Sequence, residues 1–387
     1  MATAAVTTGN AAWPVVRLGD AVTVVNGGTP KSKVAEYWGG EHQWLTPADM
    51  GKMEGRKTSA TPRTITSEGL AKSSARLVPP NSVILSTRAP IGHLAINGVP
   101  MAFNQGCRGL IPSKDVDYLF LYYFLMANRN LLDDLGSGTT FRELSATNLK
   151  SVSMPLPSLD EQKRISAVLD QAFAALDRAR ANAEANLADS DKLFENWLAL
   201  IFERQGREWR KVRLPDISEN LDRQRVPITK RDRVAGSVPY YGASGVVDHV
   251  ADYIFDEDLL LVSEDGANLL ARTYPIAFSI SGKSWVNNHA HVLRFEDRTD
   301  QEFVRLYLES ISLKPFISGM AQPKLNQKAL NKIPIPFPDA ATRQDIVEEA
   351  ERLKGLTTRA VGQYEKALED INDLRISILS TAFKGRL

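Results

Sequence analysis

The sequence predicts a mixed α/β chain of two strand-rich domains, each followed by a long helix, with the two helices paired antiparallel as a coiled coil in an internal pseudo-twofold repeat. Three observations carry this. One segment recurs at a fixed offset of 181 residues. Two runs hold an apolar stripe at helical steps of three and four. The segments between them contain short apolar runs of strand length, bounded by turn residues.

The repeat comes first. Ser137-Gly138 matches Ser318-Gly319, and the same offset pairs Leu144 with Leu325, Leu149 with Leu330, and Pro155 and Pro157 with Pro336 and Pro338. It continues through Ile165/Ile346, Arg178/Arg359, Ala179/Ala360, Glu184/Glu365, Leu187/Leu368, Asp189/Asp370, Leu193/Leu374, Leu198/Leu379 and Phe202/Phe383. These are 15 identities in 66 ungapped positions, far above chance, and they indicate duplication. Upstream, Trp13-Pro-Val-Val-Arg17-Leu-Gly-Asp20 echoes Trp209-Arg-Lys-Val-Arg213-Leu-Pro-Asp216, and Phe103-Asn104-Gln105 echoes Val286-Asn287-Asn288.

Two helices follow from the pattern. Pro157 precedes Ser158, and Ser158 with Glu161 has the spacing of a capping box. The first stripe runs through Ile165, Leu169, Leu176, Leu193 and Trp197, and the second through Ile346, Leu353, Tyr364, Ile371, Leu374 and Ile378. About 40 residues of helix make a rod of roughly 60 Å, which cannot bury its stripe alone. The second copy is the natural partner; two helices of an ordinary bundle are the alternative. The organisation expected is a disordered tail over 1–12, a domain over 13–157, a helix over 158–208, a second domain over 209–338 and a second helix over 339–387. Within the domains, 83–87 and 259–263 read as buried strands, and 118–128 and 303–311 as amphipathic helices.

Composition narrows the class. Hydrophobic residues make up 43% of the chain and charged residues 24%, as in ordinary folded domains. One cysteine, Cys107, rules out an internal disulfide and a multi-cysteine zinc site, and fits a cytoplasmic protein. No apolar run has the roughly 20 residues needed to span a bilayer. The net charge of +1 does not announce nucleic acid, but residues 1–157 carry 15 Lys/Arg against 11 Asp/Glu, and 158–208 carry 7 against 10.

Over nearly its whole length the chain resembles the specificity subunits of type I restriction–modification systems. The resemblance rests on Trp13 with Arg17-Leu-Gly-Asp20, Trp209 with Arg213-Leu-Pro-Asp216, Asn26-Gly-Gly-Thr-Pro30, Ser86-Thr-Arg88-Ala-Pro-Ile-Gly92 and Asn104-Gln105-Gly106. It extends to the run 149–165 and to Ile378-Leu-Ser-Thr-Ala-Phe383-Lys-Gly385. The second helix departs, opening Thr342-Arg-Gln-Asp-Ile346, and the second domain has Tyr240-Tyr-Gly-Ala-Ser-Gly245 in place of the Gly-Gly-Thr-Pro turn. The resemblance implies two target-recognition domains reading a bipartite double-stranded DNA target, with the helices as spacer. It implies two methyltransferase subunits and a restriction/translocase subunit as partners. S-adenosylmethionine, ATP and magnesium would belong to those partners, with no cofactor, metal or catalytic residue in this chain.

Enzymatic alternatives find little. Gly282-Lys283-Ser284 ends like a phosphate loop, but position 277 is Ala where the motif needs Gly. Val78-Pro79-Pro80-Asn81 lacks the order of an amino-methyltransferase loop, and Asp134 with Glu161 and Lys163 only loosely makes a nuclease set. His289 and His291 could begin a metal site, with base contact or plain surface as the alternatives. A self-sufficient DNA methyltransferase and a protein-only coiled-coil scaffold remain the competing classes.

Candidate DNA contacts are loop residues able to pair with base edges or grip phosphates. In the first domain they are Thr29, Lys31, Lys57, Arg63, Ser74, Arg76, Arg88, Asn104, Gln105, Thr139 and Arg142. In the second they are Lys230, Arg231, Tyr241, Ser244, Asn268, Lys283, Asn287, Asn288, His289, Gln322 and Lys324. Gly136-Ser-Gly138 and Ser318-Gly319 are phosphate-binding turns or mere connections.

Overall fold

The structure is a computed structural model describing residues 13–387 except 89, 139–141, 205–206 and 320–321. The tail expected over 1–12 and the candidate Thr139 lie outside the described residues. The chain divides into two compact units: residues up to Asn182 with Ala367–Leu387, and Ala183–Lys366. The division falls inside both long helices, Leu159–Arg204 and Ala340–Phe383.

In the first unit a five-stranded sheet runs in the order Val22–Asn26, Cys107–Pro112, Val83–Thr87, Ile91–Asn97, Lys57–Thr58. All five residues of the central Val83–Thr87 are buried, the apolar Val83, Ile84 and Leu85 together with Ser86 and Thr87. A three-stranded sheet orders Thr64–Ile65, Trp38–Leu45 and Met101–Phe103, and a ribbon pairs Val15–Arg17 with Ser153–Pro155. The helix Tyr118–Ala127 is capped by Asp117, whose Oδ1 accepts the Leu119 and Phe120 amides at 3.0 and 2.9 Å. It is not amphipathic: Phe120 through Leu125 are all buried. Its core includes Phe173 and Leu176 of one long helix and Leu379, Ala382 and Phe383 of the other, so the middle of the helix is covered all round, with Tyr118, Leu119, Met126 and Ala127 at its ends half-buried. The Phe383 ring lies 5.2 Å from Phe120 and 5.7 Å from Phe124. Burying such a side chain is worth roughly 1.5–3 kcal/mol.

The second unit repeats the plan. One four-stranded sheet orders Glu219–Asn220, Ala290–Arg294, Leu259–Ser263 and Ala277–Ile280; another orders Gly245–Val250, Ala235–Gly242, Lys283–Val286 and Phe255–Asp256. Lys211–Val212 pairs with Ile335–Pro336, the counterpart of the first unit's ribbon. Leu259–Ser263 is again fully buried. The helix Arg298–Ser310 packs Phe303 and Tyr307 at 5.5 and 5.2 Å from Phe202. Phe202 and Phe383, one repeat apart, thus each pack on the helix of a strand-rich domain.

The long helices meet antiparallel. In the first unit Arg375 pairs with Asp177 and stacks 4.7 Å over Phe173, while Arg180 Nη1 donates to Asn372 Oδ1 at 3.4 Å. Ile165, Leu169 and Leu176 are buried there, with Ile371 and Ile378 packed against the same core. In the second unit Leu198 and Phe202 join Ile346, Val347 and Ala350, with Trp197 alongside; Leu353 and Tyr364 are half-buried. The stripe differs from the heptad reading at two positions. Leu193 is 51% and Leu374 48% exposed. The inward face has moved one residue, to Phe194 and Arg375, because a straight helix drifts against a 3.5-residue repeat. The capping box is half formed. Ser158 Oγ accepts the Glu161 amide at 3.4 Å, but the Glu161 carboxylate turns to Arg164 at 2.7 and 2.8 Å.

The first long helix is also tied to its domain by polar contacts. Asp170 accepts from Arg56 Nη2 at 2.8 Å and from the Tyr123 hydroxyl. Burial raises the Asp170 carboxyl, but the Arg56 and Tyr123 hydrogen bonds outweigh it and hold the group below the usual carboxylate range. Among the described residues no helix is long and apolar enough to cross a membrane.

Candidate nucleic-acid interface

Two loop clusters, one in each domain, gather polar side chains that could face a ligand. In the first domain Asn26-Gly27-Gly28-Thr29 threads between two other segments. A Cβ on Gly27 would lie 2.0 Å from the Asn104 carbonyl oxygen, and one on Gly28 would lie 2.2 Å from the Ala75 nitrogen and 2.3 Å from the Ser74 carbonyl carbon. Only glycine fits either place. The Trp44 indole fastens this loop by donating to the Gly28 carbonyl at 2.9 Å. Thr29 then reaches Gln105, and Asn104 Nδ2 donates to Thr29 Oγ1 at 3.0 Å. Arg88 lies along Gly106, with Nη1 3.7 Å from Glu143. Arg108 Nη2 is 3.5 Å from the same carboxylate. Thr29, Ser74, Arg88, Asn104 and Gln105 are thus brought together, with Arg108 and Glu143 added. Cys107 lies beneath, its thiol pushed up to about 12 by burial, which makes it a packing residue rather than a nucleophile.

In the second domain a charged cluster takes this place. His291, 1% exposed, sets Nδ1 2.6 Å from Asp222 Oδ2 and Nε2 2.7 Å from the Leu325 carbonyl. Both ring nitrogens face acceptors, so a proton sits in the His291–Asp222 contact. Asp222 also accepts the Val292 amide at 2.9 Å. Arg225 bridges Glu264 at 2.7 Å, Asp222 at 3.5 Å and the Ala290 carbonyl at 2.7 Å. Lys324 reaches Glu264 at 3.1 Å. Burial raises both carboxyls, but hydrogen bonds and charge from His291, Arg225 and, for Glu264, Lys324 hold them below the usual range. Asp222, Glu264 and His291 place ligand atoms within 4.8 Å of one another, as a metal would need. Arg225 and Lys324 already meet that charge, so the set reads as an ion-pair network. His291 is therefore neither a base contact nor plain surface.

The two clusters share one backbone frame. Thr87 donates to the Gly106 carbonyl and Glu264 to the His289 carbonyl, both at 2.8 Å. Leu144 donates to Thr87 at 2.9 Å and Leu325 to Glu264 at 2.7 Å. Ser137 and Glu143 form a two-bond bridge, as do Ser318 and Lys324. The Asn104 amide oxygen accepts the Gly106 amide at 2.7 Å, and that of Asn287 accepts the His289 amide at 2.8 Å. Asn104 and Asn287 thus hold equivalent turns, which leaves less of their amides for bases. Ser137 and Ser318 thus anchor equivalent bridges of this frame.

Other candidates sit apart. Lys57 donates to Asn81 at 3.0 Å, beside Tyr118, at the far end of the central strand from Arg88. Arg63 stacks 5.4 Å from Trp38 and 4.7 Å from Trp44, and Lys31 offers its carbonyl to the Trp38 indole. Arg76 donates to the Ala75 carbonyl at 2.8 Å and Arg142 pairs with Asp133 at 3.1 Å. Lys230 and Arg231 lie on an exposed turn, and Ser244, Asn288 and Gln322 are exposed. Tyr241 offers its carbonyl to the Asn287 amide at 3.1 Å, beside the frame. Lys283 stacks 4.5 Å over Tyr253. The Asn268 amide is taken up by Tyr274 backbone at 2.9 and 3.0 Å, so it is a turn residue. The phosphate-loop likeness fails too: Lys283 opens the strand Lys283–Val286 rather than a helix. Sequence reasoning missed Arg108, Glu143, Asp222, Arg225 and Glu264, and singled out His291 only as the possible start of a metal site with His289. The repeat offset was the available signal for one pair, since it sets Glu143 opposite Lys324.

A family model described as the type I restriction modification DNA specificity domain matches residues 10–186 and again 206–369. A type I restriction enzyme specificity subunit of Methanocaldococcus jannaschii, MjaIX, is 36% identical over 187 residues, covering 48% of this chain and 43% of that protein. The chain thus spans less than half the length of that relative. The StySPI specificity subunit of Salmonella potsdam is 22% identical over 97% of this chain and 89% of its own length. A solved chain from a study of assembly and conformational transition of the type I R-M system superposes with a TM-score of 0.72 at 17% identity, covering 97% of this chain and 98% of that one. That likeness establishes the fold.

Proposed function

The chain belongs to the type I restriction–modification DNA specificity family, and from that premise we propose that it is the subunit that selects the DNA target, one half-target per strand-rich domain. The observation that carries the reading is the duplicated frame, which presents different side chains on the same backbone in each domain. Two matched frames with unlike side chains suit a bipartite, asymmetric sequence, because base identity is read by side chains set on a rigid support. In this proposal the subunit acts in the cytoplasm and docks two methyltransferase subunits and the restriction subunits. Those partners bring S-adenosylmethionine, ATP and magnesium, and no catalytic step falls to this chain. The ion-paired state of the carboxylates around His291 supports that division, since a hydrolytic or methyl-transfer site keeps a group available to substrate.

The test is a domain exchange. Residues 13–157 are replaced by the corresponding segment of another specificity subunit, and the selected DNA is read from a randomised duplex pool. One half of the split target is expected to change while the other stays. Both halves changing together, or no sequence selection by the parent chain, overturns the reading. Methyl transfer by the isolated chain would show an enzyme instead, and the absence of salt-dependent DNA binding would show a scaffold.

A further inference from the structure

The shared frame places one pair of positions in register. Because Thr87 matches Glu264 and Gly106 matches His289, Arg88 occupies the place of Asp265. The occupants are opposite in character. In the first domain Arg88 lies over bare Gly106, where an added Cβ would sit 3.2 Å from its Cγ and Nε. In the second, Asp265 holds His289 Nδ1 at 2.9 and 3.0 Å. The nearby hairpin position inverts as well, from Glu143 to Lys324. Each pair is partly exposed: Arg88 36%, Asp265 32%, His289 51%. Arg88 is held only loosely, its ion pair with Glu143 being 3.7 Å long.

We propose that this seat decides one base pair in each half-target and that the domains read opposite hydrogen-bonding characters there. Arg88 selects guanine, whose O6 and N7 accept the two arms of a guanidinium. The Asp265–His289 pair selects a base offering an exocyclic amine, cytosine N4 or adenine N6. His289 donates Nδ1–H to Asp265, which leaves Nε2 and the carboxylate oxygens as acceptors. The same fold position thus reads acceptors in one half and donors in the other, through a change of two side chains. The inference rests on the DNA-reading function proposed above.

The test uses the full chain and a panel of duplexes carrying each single-base change in the selected target. Arg88→Lys keeps the charge and loses the fork. It is expected to lower discrimination at one position of one half by about tenfold to a hundredfold while leaving the other half and the salt dependence unchanged. Asp265→Asn is expected to change preference at one position of the other half only. Arg88→Lys with full discrimination, alongside Arg88→Gln weakening all sequences equally, would make Arg88 a phosphate grip and overturn the proposal. So would an unchanged base preference in Asp265→Asn. A parent chain that selects no sequence overturns the function itself, which separates that failure from failure of the seat.

Discussion

Asp222→Asn tests how the second domain's charged cluster is held. The change keeps side-chain size, and the remaining amide oxygen can still accept the Val292 amide. What goes is the charge facing His291 at 2.6 Å and Arg225 at 3.5 Å. Arg225 and Lys324 would then share Glu264 alone, at 2.7 and 3.1 Å, with His291 Nδ1 3.8 Å from the same carboxylate. The Asp222 side chain is 8% and that of His291 1% exposed, so water screens little of this. Breaking one side of a buried pair costs about 3–5 kcal/mol. The assay is native-state amide exchange in the strand Ala290–Arg294, where that cost appears as roughly a hundredfold to several-thousandfold loss of protection. The exposed pair Arg231–Asp232 supplies the control, since Asp232→Asn should cost under about 1 kcal/mol. The pH dependence has a definite sign. Folding lowers the Asp222 carboxyl, so its contribution is present above its unfolded value, near about 4, and is lost as pH falls through the folded one. The variant should therefore lose stability at neutral pH and show a flatter acid limb. A loss below about 1 kcal/mol, or an unchanged acid limb, would refute the account of Asp222 as the anchor of these cations.

Two further predictions concern the first unit. Gly28→Ala drives a methyl onto the Ala75 nitrogen and the Ser74 carbonyl carbon, backbone atoms that cannot step aside. A cost of about 1–3 kcal/mol or more is expected, with DNA binding lost in one half-target only, read by thermal melting and duplex panels. Asp170→Asn removes the negative charge facing Arg56 and one of the two oxygens that accept from its guanidinium; because Asp170 is lowered on folding and about a third exposed, a loss of roughly 1–2 kcal/mol is expected at neutral pH, shrinking as pH falls below about 4 and gone only below the folded value, in chemical denaturation.

Local periodicity carried the sequence reading wherever the forces are local. The buried strands at 83–87 and 259–263, the long helices and the repeat were all legible, because each is set by spacing within a few turns or by identity at a fixed offset. The exposed Leu193 and Leu374 show where it stopped: a seven-residue template drifts against a straight helix, and only packing against a domain decides which neighbour turns inward. The helix Tyr118–Ala127 failed for a related reason, since the elements covering its outer face come from distant parts of the chain. The charged cluster was illegible because its partners are 39 and 69 residues apart, as Arg225–Glu264 and Asp222–His291 are. Asn104 and Asn287 were found as a repeated motif, yet only the hydrogen bonds reveal that both hold a turn.

The packing of Phe383 bears on how the chain is made. The core of the first domain contains Leu379, Ala382 and Phe383, roughly 200 residues downstream of Phe173 and Leu176 in the same core. A ribosome working from the amino end therefore finishes the second domain before it supplies the last pieces of the first. During that interval Phe120 and Phe124 lack the ring that covers them, and the nascent first domain exposes an apolar face. A stop codon or proteolytic cut between residues 205 and 366 would thus damage the domain that was translated first, far upstream of the lesion.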